Sequence, residues 1–139
     1  MKQFSLFLEN RVGKFLDIIS LLKKHETHVL AVNVVDTSDS SIVRLVLDDP
    51  DRGRALFQEH YIPFIESDML VVEMDAITDF ETILNVLLQA EINIMYTYSF
   101  LGRPKGKPAL AFSMDDPECA VHALLQHHFK ILHQRDISR

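Results

Sequence analysis

An internal repeat constrains the fold of this chain more than any other feature of the sequence. The clearest pair of matching segments is Asp48-Asp49-Pro50-Asp51 and Asp115-Asp116-Pro117-Glu118, which lie 67 residues apart (117 − 50). Apolar residues further upstream match at an offset of 65, where Phe15, Ile18, Ile19 and Leu22 correspond to Phe80, Ile83, Leu84 and Leu87. Each of these two groups of four apolar residues has the spacing i, i+3, i+4, i+7, which places them on one face of a helix. The chain is therefore predicted to consist of two copies of one folding unit.

Each half is predicted to run strand, helix, strand, strand, helix, strand. We expect the first set at Gln3–Glu9, Lys14–His25, His28–Asp36, Ser41–Leu47, Pro50–His60 and Pro63–Glu66. We expect the second set at Met69–Met74, Phe80–Ala90, Asn93–Phe100, Ala109–Met114, Pro117–His128 and Lys130–Gln134. The second helix of each half has a clear start, because Asp49 or Asp116 stands at the N-cap and a proline follows.

This order predicts an α+β chain of two ferredoxin-like βαββαβ repeats that lie side by side, each with an antiparallel sheet and its helices on one face. The repeats are expected at residues 1–67 and 68–139. Because no Pro/Gly/Ser linker separates them, we expect the repeats to share one extended sheet of about eight strands. Several strands are apolar on both faces, so a second copy of the chain is expected to cover the other face, as a homodimer.

Composition excludes several classes of protein. Hydrophobic residues make up 47% of the chain and charged residues 24%, which is typical of a folded globular protein. The 20 acidic residues outnumber the 14 basic ones and give a net charge of −6, so no nucleic acid partner is expected. No apolar run approaches the ~20 residues that cross a bilayer, so no membrane segment is expected. The single cysteine, Cys119, cannot form an internal disulfide, which favours a cytoplasmic location.

The first strand-to-helix turn carries the clearest binding signal. Gly13 allows a tight turn or a close approach of a ligand, and the N–H groups that open the following helix attract a carboxylate. The amide of Asn10 can donate to a carboxylate and accept from an ammonium group. These groups together favour a free amino acid as the ligand, although a glycine at such a turn also occurs for purely structural reasons.

The segment Asn10-Arg11-Val12-Gly13-Lys14-Phe15 resembles the Asn-x-Pro-Gly-x-Leu signature of ACT domains, with Val12 in place of the usual proline. The segment Tyr96-Thr97-Tyr98-Ser99-Phe100 and the variable hairpin after it resemble a tandem-ACT family of small stand-alone amino-acid-binding proteins. In such proteins the ligand lies at the interface between two ACT units. The resemblance therefore implies that the ligand contacts Asn10, Arg11, Val12, Gly13 and Lys14 of one unit and Tyr96, Tyr98 and Ser99 of its neighbour.

The matching turn of the second half is expected to have lost its site. Its sequence, Asp75-Ala76-Ile77-Thr78-Asp79-Phe80, has no glycine and places acidic groups where an anion would bind. We therefore expect one good site per chain.

The histidines do not predict a metal site. His122 and His127 are five residues apart, and the adjacent His127 and His128 point in different directions on a helix. No metal, cofactor or catalytic residue is expected.

The sequence therefore favours a regulatory protein that senses an amino acid and acts on itself or on an enzyme of amino-acid metabolism. Two alternatives stay open: a small ferredoxin-like enzyme of the acylphosphatase type, and an interaction or dimerisation module without a ligand.

Overall fold

A computed structural model describes residues 1–9, 13–37 and 39–138. The chain divides into two compact units. One unit contains Lys2–Asp68, and the other contains Met69–Ile137 together with Met1. We refer to Lys2–Asp68 as the first repeat and to Met69–Ile137 as the second repeat, and each is described by itself.

The first repeat is a four-stranded antiparallel sheet with two helices. Its elements are β1 (Lys2–Glu9), α1 (Lys14–Lys24), β2 (Val29–Asp36), β3 (Ser40–Leu47), α2 (Pro50–Glu59) and β4 (Phe64–Asp68). The strand order is β2-β3-β1-β4. Alternate residues of β1 and β3 form the core with the apolar faces of both helices, so the two helices cover one face of the sheet. The rings of Phe4 and Phe57 meet edge to face at 5.4 Å.

The second repeat has the same topology and one additional helix. Its elements are β5 (Leu70–Glu73), α3 (Asp79–Gln89), β6 (Ile94–Ser99), β7 (Ala109–Met114), α4 (Pro117–Gln126), β8 (Lys130–Leu132) and α5 (Gln134–Ile137). The strand order is β6-β7-β5-β8. Its core contains Leu70 and Val72 of β5 and Met74 directly after it, packed against Ile83, Leu87 and Leu124 of the helices.

The predicted fold class is confirmed, with two βαββαβ units and antiparallel sheets. The expected single sheet of about eight strands is wrong, since the eight strands of the described residues form two sheets of four. The reason is the pairing of the two strands that follow each other at the junction. β4 forms the edge of the first sheet, next to β1. β5 pairs with β7 on one side and with β8 on the other, so β4 cannot pair with it.

The last predicted strand is also shorter than expected. It ends at Leu132 instead of Gln134, and the short helix α5 follows. The carboxylate of Asp136 accepts the His133 N–H at 2.7 Å, which turns the chain at this point. This hydrogen bond also lowers the pKa of Asp136.

The repeated Asp-Asp-Pro segments have a structural explanation. The first aspartate of each segment accepts the backbone N–H of the residue just before β2 or β6. Asp48 accepts it from His28 at 2.8 Å, and Asp115 accepts it from Asn93 at 3.0 Å. The second aspartate caps the helix, since Asp49 and Asp116 each accept a backbone N–H of the first helical turn at 3.1 Å. The predicted helix starts are therefore confirmed, and both carboxylates have a hydrogen-bonding role in each unit.

All four long helices end in the same way. The residue two positions after each helix has a left-handed backbone although it is not glycine: Glu26, Tyr61, Glu91 and His128, with φ of 56°, 55°, 57° and 65°. The next N–H returns to a carbonyl of the last turn, as in the bond from Ile92 to Leu87 at 3.0 Å. This is the Schellman arrangement, in which glycine is the favoured residue.

The expected homodimer stays a prediction.

In the part of the chain that the structure describes, no helix has the length and apolar character needed to cross a membrane.

Candidate functional site

Gly13 is the last residue of the predicted binding turn before α1, and it belongs to the residues that the structure describes. It is the N-cap of α1, and its φ of 86° and ψ of −10° lie in the left-handed region that favours glycine. Its carbonyl accepts the Asp17 N–H at 2.9 Å, which starts the helix. Among the described residues, no atom lies within 4 Å of a Cβ atom built on Gly13. The other predicted residues of this turn, Asn10, Arg11 and Val12, lie outside the described residues.

Lys14 places a cationic side chain next to this turn. It is the first residue of α1 and is half-buried. It lines a cleft of about 270 Å³ at the end of β1, which we call the first cleft. The other lining residues come from β1 and from the turn between α2 and β4: Phe7, Leu8, Glu9, His60, Tyr61, Ile62 and Pro63.

The matching turn of the second repeat already holds a carboxylate. One oxygen of Asp79 accepts the backbone N–H of Asp75 at 2.9 Å and that of Ala76 at 3.1 Å. At the offset of 65 that relates the two helices, Asp79 corresponds to Lys14. The turn of the second repeat is thus closed by an anion of its own, whereas the first repeat has a cation at the corresponding position.

The charges around the second turn are paired further. Lys107, in the connection between β6 and β7, forms an ion pair with Asp75 at 2.6 Å. The hydrogen bond with Asp75 raises the pKa of Lys107, and the nearby charge of Glu73 raises it further. The acidic character of this turn, visible in the sequence, therefore reflects local pairing.

The predicted aromatic residues lie together on β6 of the second repeat. The rings of Tyr96 and Tyr98 stack with their centroids 6.5 Å apart and an angle of 15° between their planes. Tyr98 is buried and Ser99 is exposed. The pairing of this strand with the turn at Gly13, which the resemblance implies, stays a prediction.

The histidines near the C-terminus mainly bond to their own helix. His122 contacts the amide nitrogen of Gln126 at 3.1 Å, and Nδ1 of His127 lies 2.9 Å from the carbonyl oxygen of Ala123. No group of three His, Cys, Asp or Glu side chains able to hold a metal ion occurs within residues 1–9, 13–37 and 39–138.

One polar residue of the second repeat was missed in the sequence. Glu73 belongs to the apolar strand β5, and the residue is only 8% exposed. It lines a cleft of about 490 Å³, which we call the second cleft. The available signal was its charge, since a single glutamate within Met69-Leu70-Val71-Val72-Glu73-Met74 is unusual in a buried strand.

Comparison with known proteins relates the whole chain to one family. The family model described as an ACT domain pair matches residues 1–139. A search of curated proteins with this sequence finds no match.

Solved structures share the fold at low sequence identity. A protein from Bacteroides thetaiotaomicron superimposes with a TM-score of 0.89 and 20% identity, covering 99% of this chain and 95% of that one. The ligand-free regulatory subunit of aspartate kinase from Thermus thermophilus gives a TM-score of 0.61 and 11% identity, with 90% of each chain covered. The corresponding subunit from Thermus flavus gives 0.58 and 11% identity, covering 91% of this chain and 92% of that one.

Proposed function

The chain belongs to the family of ACT domain pairs, and on this premise we propose that it is a regulatory protein whose ligand is a free amino acid. The ligand carboxylate binds at the turn before α1, next to Gly13 and Lys14. Binding changes the association of the chain with itself or with an enzyme of amino-acid metabolism. No catalytic residue is part of this proposal.

The contrast between Asp79 and Lys14 carries the proposal. In the second repeat, two backbone N–H groups of the turn hold a carboxylate that the protein supplies itself. At the corresponding position of the first repeat, Lys14 cannot accept a hydrogen bond, because an ammonium group has only donors. We therefore propose that the ligand supplies the carboxylate at the first turn. It would meet the positive end of α1 and the ammonium group of Lys14.

The size of the first cleft supports a small ligand. Its volume of about 270 Å³ is below the range of clefts that hold drug-sized molecules. Tyr61 and Phe7 give it apolar surface beside the charged group of Lys14. A cationic group next to apolar surface suits a ligand with a carboxylate and a short side chain.

Two proteins with the same fold are named as regulatory subunits of aspartate kinase. Their similarity to this chain is limited to the fold, so we propose an enzyme partner only by class. Self-association is proposed as well, and exposed apolar residues on the edge strands β2 and β6 offer surface for it: Val34, Val35 and Met95, with 46%, 41% and 65% exposure.

A thermal-shift screen of the full chain with each of the twenty amino acids tests the proposed function. A ligand present at 100 times its Kd stabilises the folded protein by about 2.7 kcal/mol, which raises the melting temperature measurably. No shift with any amino acid would contradict the proposal. Light scattering with and without the stabilising amino acid would then show whether the ligand changes self-association.

A pair of variants at one position tests the site. Gly13→Asp places a carboxylate at the turn and should abolish the shift by repulsion of the ligand carboxylate. Gly13→Asn has nearly the same size and the same backbone strain but no charge, so it should retain most of the shift. Equal loss of binding in both variants would mean that the backbone, and not the charge, is responsible.

A further inference from the structure

We propose that one end of the second repeat is a docking surface for an acidic segment of a partner protein. The surface, which we call the basic end, contains four exposed cationic residues from the β6–β7 connection, β8 and α5: Arg103, Lys105, Lys130 and Arg135. The basic end takes a partner protein and not a small ligand, so it is independent of the function proposed above.

The charges of the second repeat are separated along the chain. Met69–Ile137 contains nine aspartates and glutamates but only five lysines and arginines. All five cationic residues lie within 103–107 or 130–135, and neither segment contains an acidic residue. The helices α3 and α4 and the strands β5, β6 and β7 carry no lysine or arginine. An acidic unit thus keeps its positive charge in two short segments.

The sheet brings these two segments to the same end of the second repeat. Glu73 pairs with Ala109 on one side and with Lys130 on the other, so Ala109 and Lys130 lie two strand spacings apart, about 10 Å. The β6–β7 connection ends directly before Ala109. Lys107 of this connection and Lys130 also line the second cleft together. The two cationic segments are therefore neighbours, although more than 20 positions separate them in the sequence.

A β-turn fixes the position of Lys105 in the β6–β7 connection. The Gly106 N–H donates to the carbonyl of Arg103 at 3.0 Å and closes a four-residue turn. Pro104 occupies the second position, which favours proline, and Gly106 has a φ of 82°, which favours glycine. Lys105 stands between them at the third position and is exposed. The local sequence therefore holds this lysine at the surface.

Three cations of the basic end surround a single carboxylate. The hydrogen bond from the His133 N–H lowers the pKa of Asp136. The charges of three cations lower this pKa further: Lys105, Arg135 and Lys130. No ion pair joins any of these three cations to a carboxylate within the described part of the chain. The basic end therefore has an excess of positive charge that an acidic partner can neutralise.

The first repeat shows that the fold does not require the β6–β7 connection in this form. Its β2–β3 hairpin has the same place in the fold, and only residues 37–39 join the two strands. Residues 100–108 join β6 to β7 and supply three of the five cations. Of these three, Lys107 alone forms an ion pair with a described residue, Asp75. Long surface loops on a rigid scaffold commonly have binding functions, and such a function explains the added charges.

An acidic protein segment fits the basic end better than a nucleic acid does. The whole chain has a net charge of −6, which opposes binding of a long phosphate backbone. Side chains on one face of an extended peptide recur about every 7 Å, because successive residues alternate between the two faces. A short segment with a few acidic residues therefore matches the spacing of about 10 Å between the two cationic segments.

Fluorescence anisotropy with the full chain tests this inference. The probe is a labelled peptide of eight consecutive glutamates, and the controls are a peptide of eight glutamines and a single-stranded DNA of eight thymidines. The glutamate peptide should bind more tightly than either control, and its binding should weaken as salt is raised, because salt screens exposed charges. No binding at millimolar concentration, equal binding of the glutamine peptide, or tighter binding of the DNA would overturn the inference.

Variants locate the binding of the glutamate peptide. Lys105→Gln and Lys130→Gln should each weaken it by about two- to fivefold, the usual effect of one exposed ion pair. Asp136→Asn should strengthen it by a similar factor, because it removes a negative charge but keeps an oxygen that can accept the His133 N–H. Lys24→Gln removes a positive charge from an exposed position on α1 and should leave binding unchanged. Equal weakening by Lys24→Gln would mean that only net charge matters and would overturn the inference.

Light scattering distinguishes a partner protein from a second copy of this acidic chain. Lys105→Gln should leave the mass of the free chain unchanged at low salt. If the unmodified chain self-associated and Lys105→Gln abolished this association, the basic end would bind another copy, and the inference would be wrong. Both measurements are made without an amino acid, so failure here is distinguishable from failure of the thermal-shift screen.

Discussion

The carboxylate of Asp79 accepts the backbone N–H of Asp75 at 2.9 Å, and this bond closes the turn between β5 and α3. The bond from Ala76 to the same oxygen adds a second contact. The turn before α3 is therefore stabilised by a side chain in the way that an N-cap stabilises the start of a helix.

Asp79→Ala should destabilise the chain by about 1 kcal/mol, because two backbone donors lose their acceptor. Lys14→Ala is the matched control in the first repeat and should change stability by less than about 0.5 kcal/mol. Urea unfolding followed by circular dichroism measures both values. Equal stability of Asp79→Ala and the unmodified chain would show that water replaces the carboxylate at no cost.

The Arg54–Glu66 pair should make stability depend on pH in the acid range. Arg54 donates from Nε at 2.9 Å and from a second guanidinium nitrogen at 2.6 Å to the two oxygens of Glu66. These hydrogen bonds lower the pKa of Glu66 from its ordinary 4.5. A lowered pKa stabilises the folded state above pH 4.5, and this contribution is lost as the pH falls through the folded-state pKa.

Glu66→Gln should therefore lose stability less steeply below pH 4.5 than the unmodified chain. The pair is partly exposed, with side-chain exposures of 33% and 23%, so we expect a difference of at most about 1 kcal/mol. Urea midpoints measured from neutral pH into the acid range test this expectation. Glu59→Gln, an exposed change on α2, is the control, and an identical pH profile for both variants would contradict the prediction.

The left-handed helix ends predict stabilising substitutions. Glu91 is exposed and has a φ of 57°, so Glu91→Gly should relieve backbone strain and stabilise the chain by about 0.5–1 kcal/mol. Glu91→Ala removes the same side chain but keeps the strain, so it should not stabilise. Thermal unfolding compares the two variants. If the alanine variant were as stable as the glycine variant, the stabilisation would come from removal of the glutamate side chain and not from relief of backbone strain.

Gly53 has a packing role in α2. A Cβ atom at this position would overlap the side chain of Leu47, which is fully buried. Gly53→Ala should therefore destabilise the chain by about 1–3 kcal/mol, although alanine is the better helix former. The matched residue of α4 is Ala120 (120 − 53 = 67), which is fully buried in the core. Ala120→Gly should destabilise by about 1–2 kcal/mol, through lower helix propensity and the loss of a buried methyl group. A stabilised Gly53→Ala would show that Leu47 moves aside freely.

Much of the fold could be predicted because local signals coincide with the repeat. Asp49 and Asp116 mark helix starts that depend on hydrogen bonds within one turn, and the apolar spacing around Ile18 and Ile83 predicts the buried helix faces. The number of sheets could not be predicted in this way. It depends on which strands flank β5, and this is a long-range pairing that no local pattern determines.

The candidate site was predictable only in part. The acidic residues of the second turn indicated that this turn binds no external anion, but the sequence did not show that Asp79 itself takes the anion's place. Glu73 was passed over because its strand neighbours are apolar. The cleft that it lines is formed with residues more than 30 positions away in sequence, such as Lys107 and Lys130.

The first aspartate of each Asp-Asp-Pro segment has a consequence for folding kinetics. Asp48 and His28 are 20 residues apart, and Asp115 and Asn93 are 22 residues apart. Each bond can form only after the whole hairpin between its partners has closed. The bond therefore stabilises the completed repeat and no shorter fragment. Each repeat should therefore fold and unfold as one cooperative unit, with its hairpin and second helix forming in the same step.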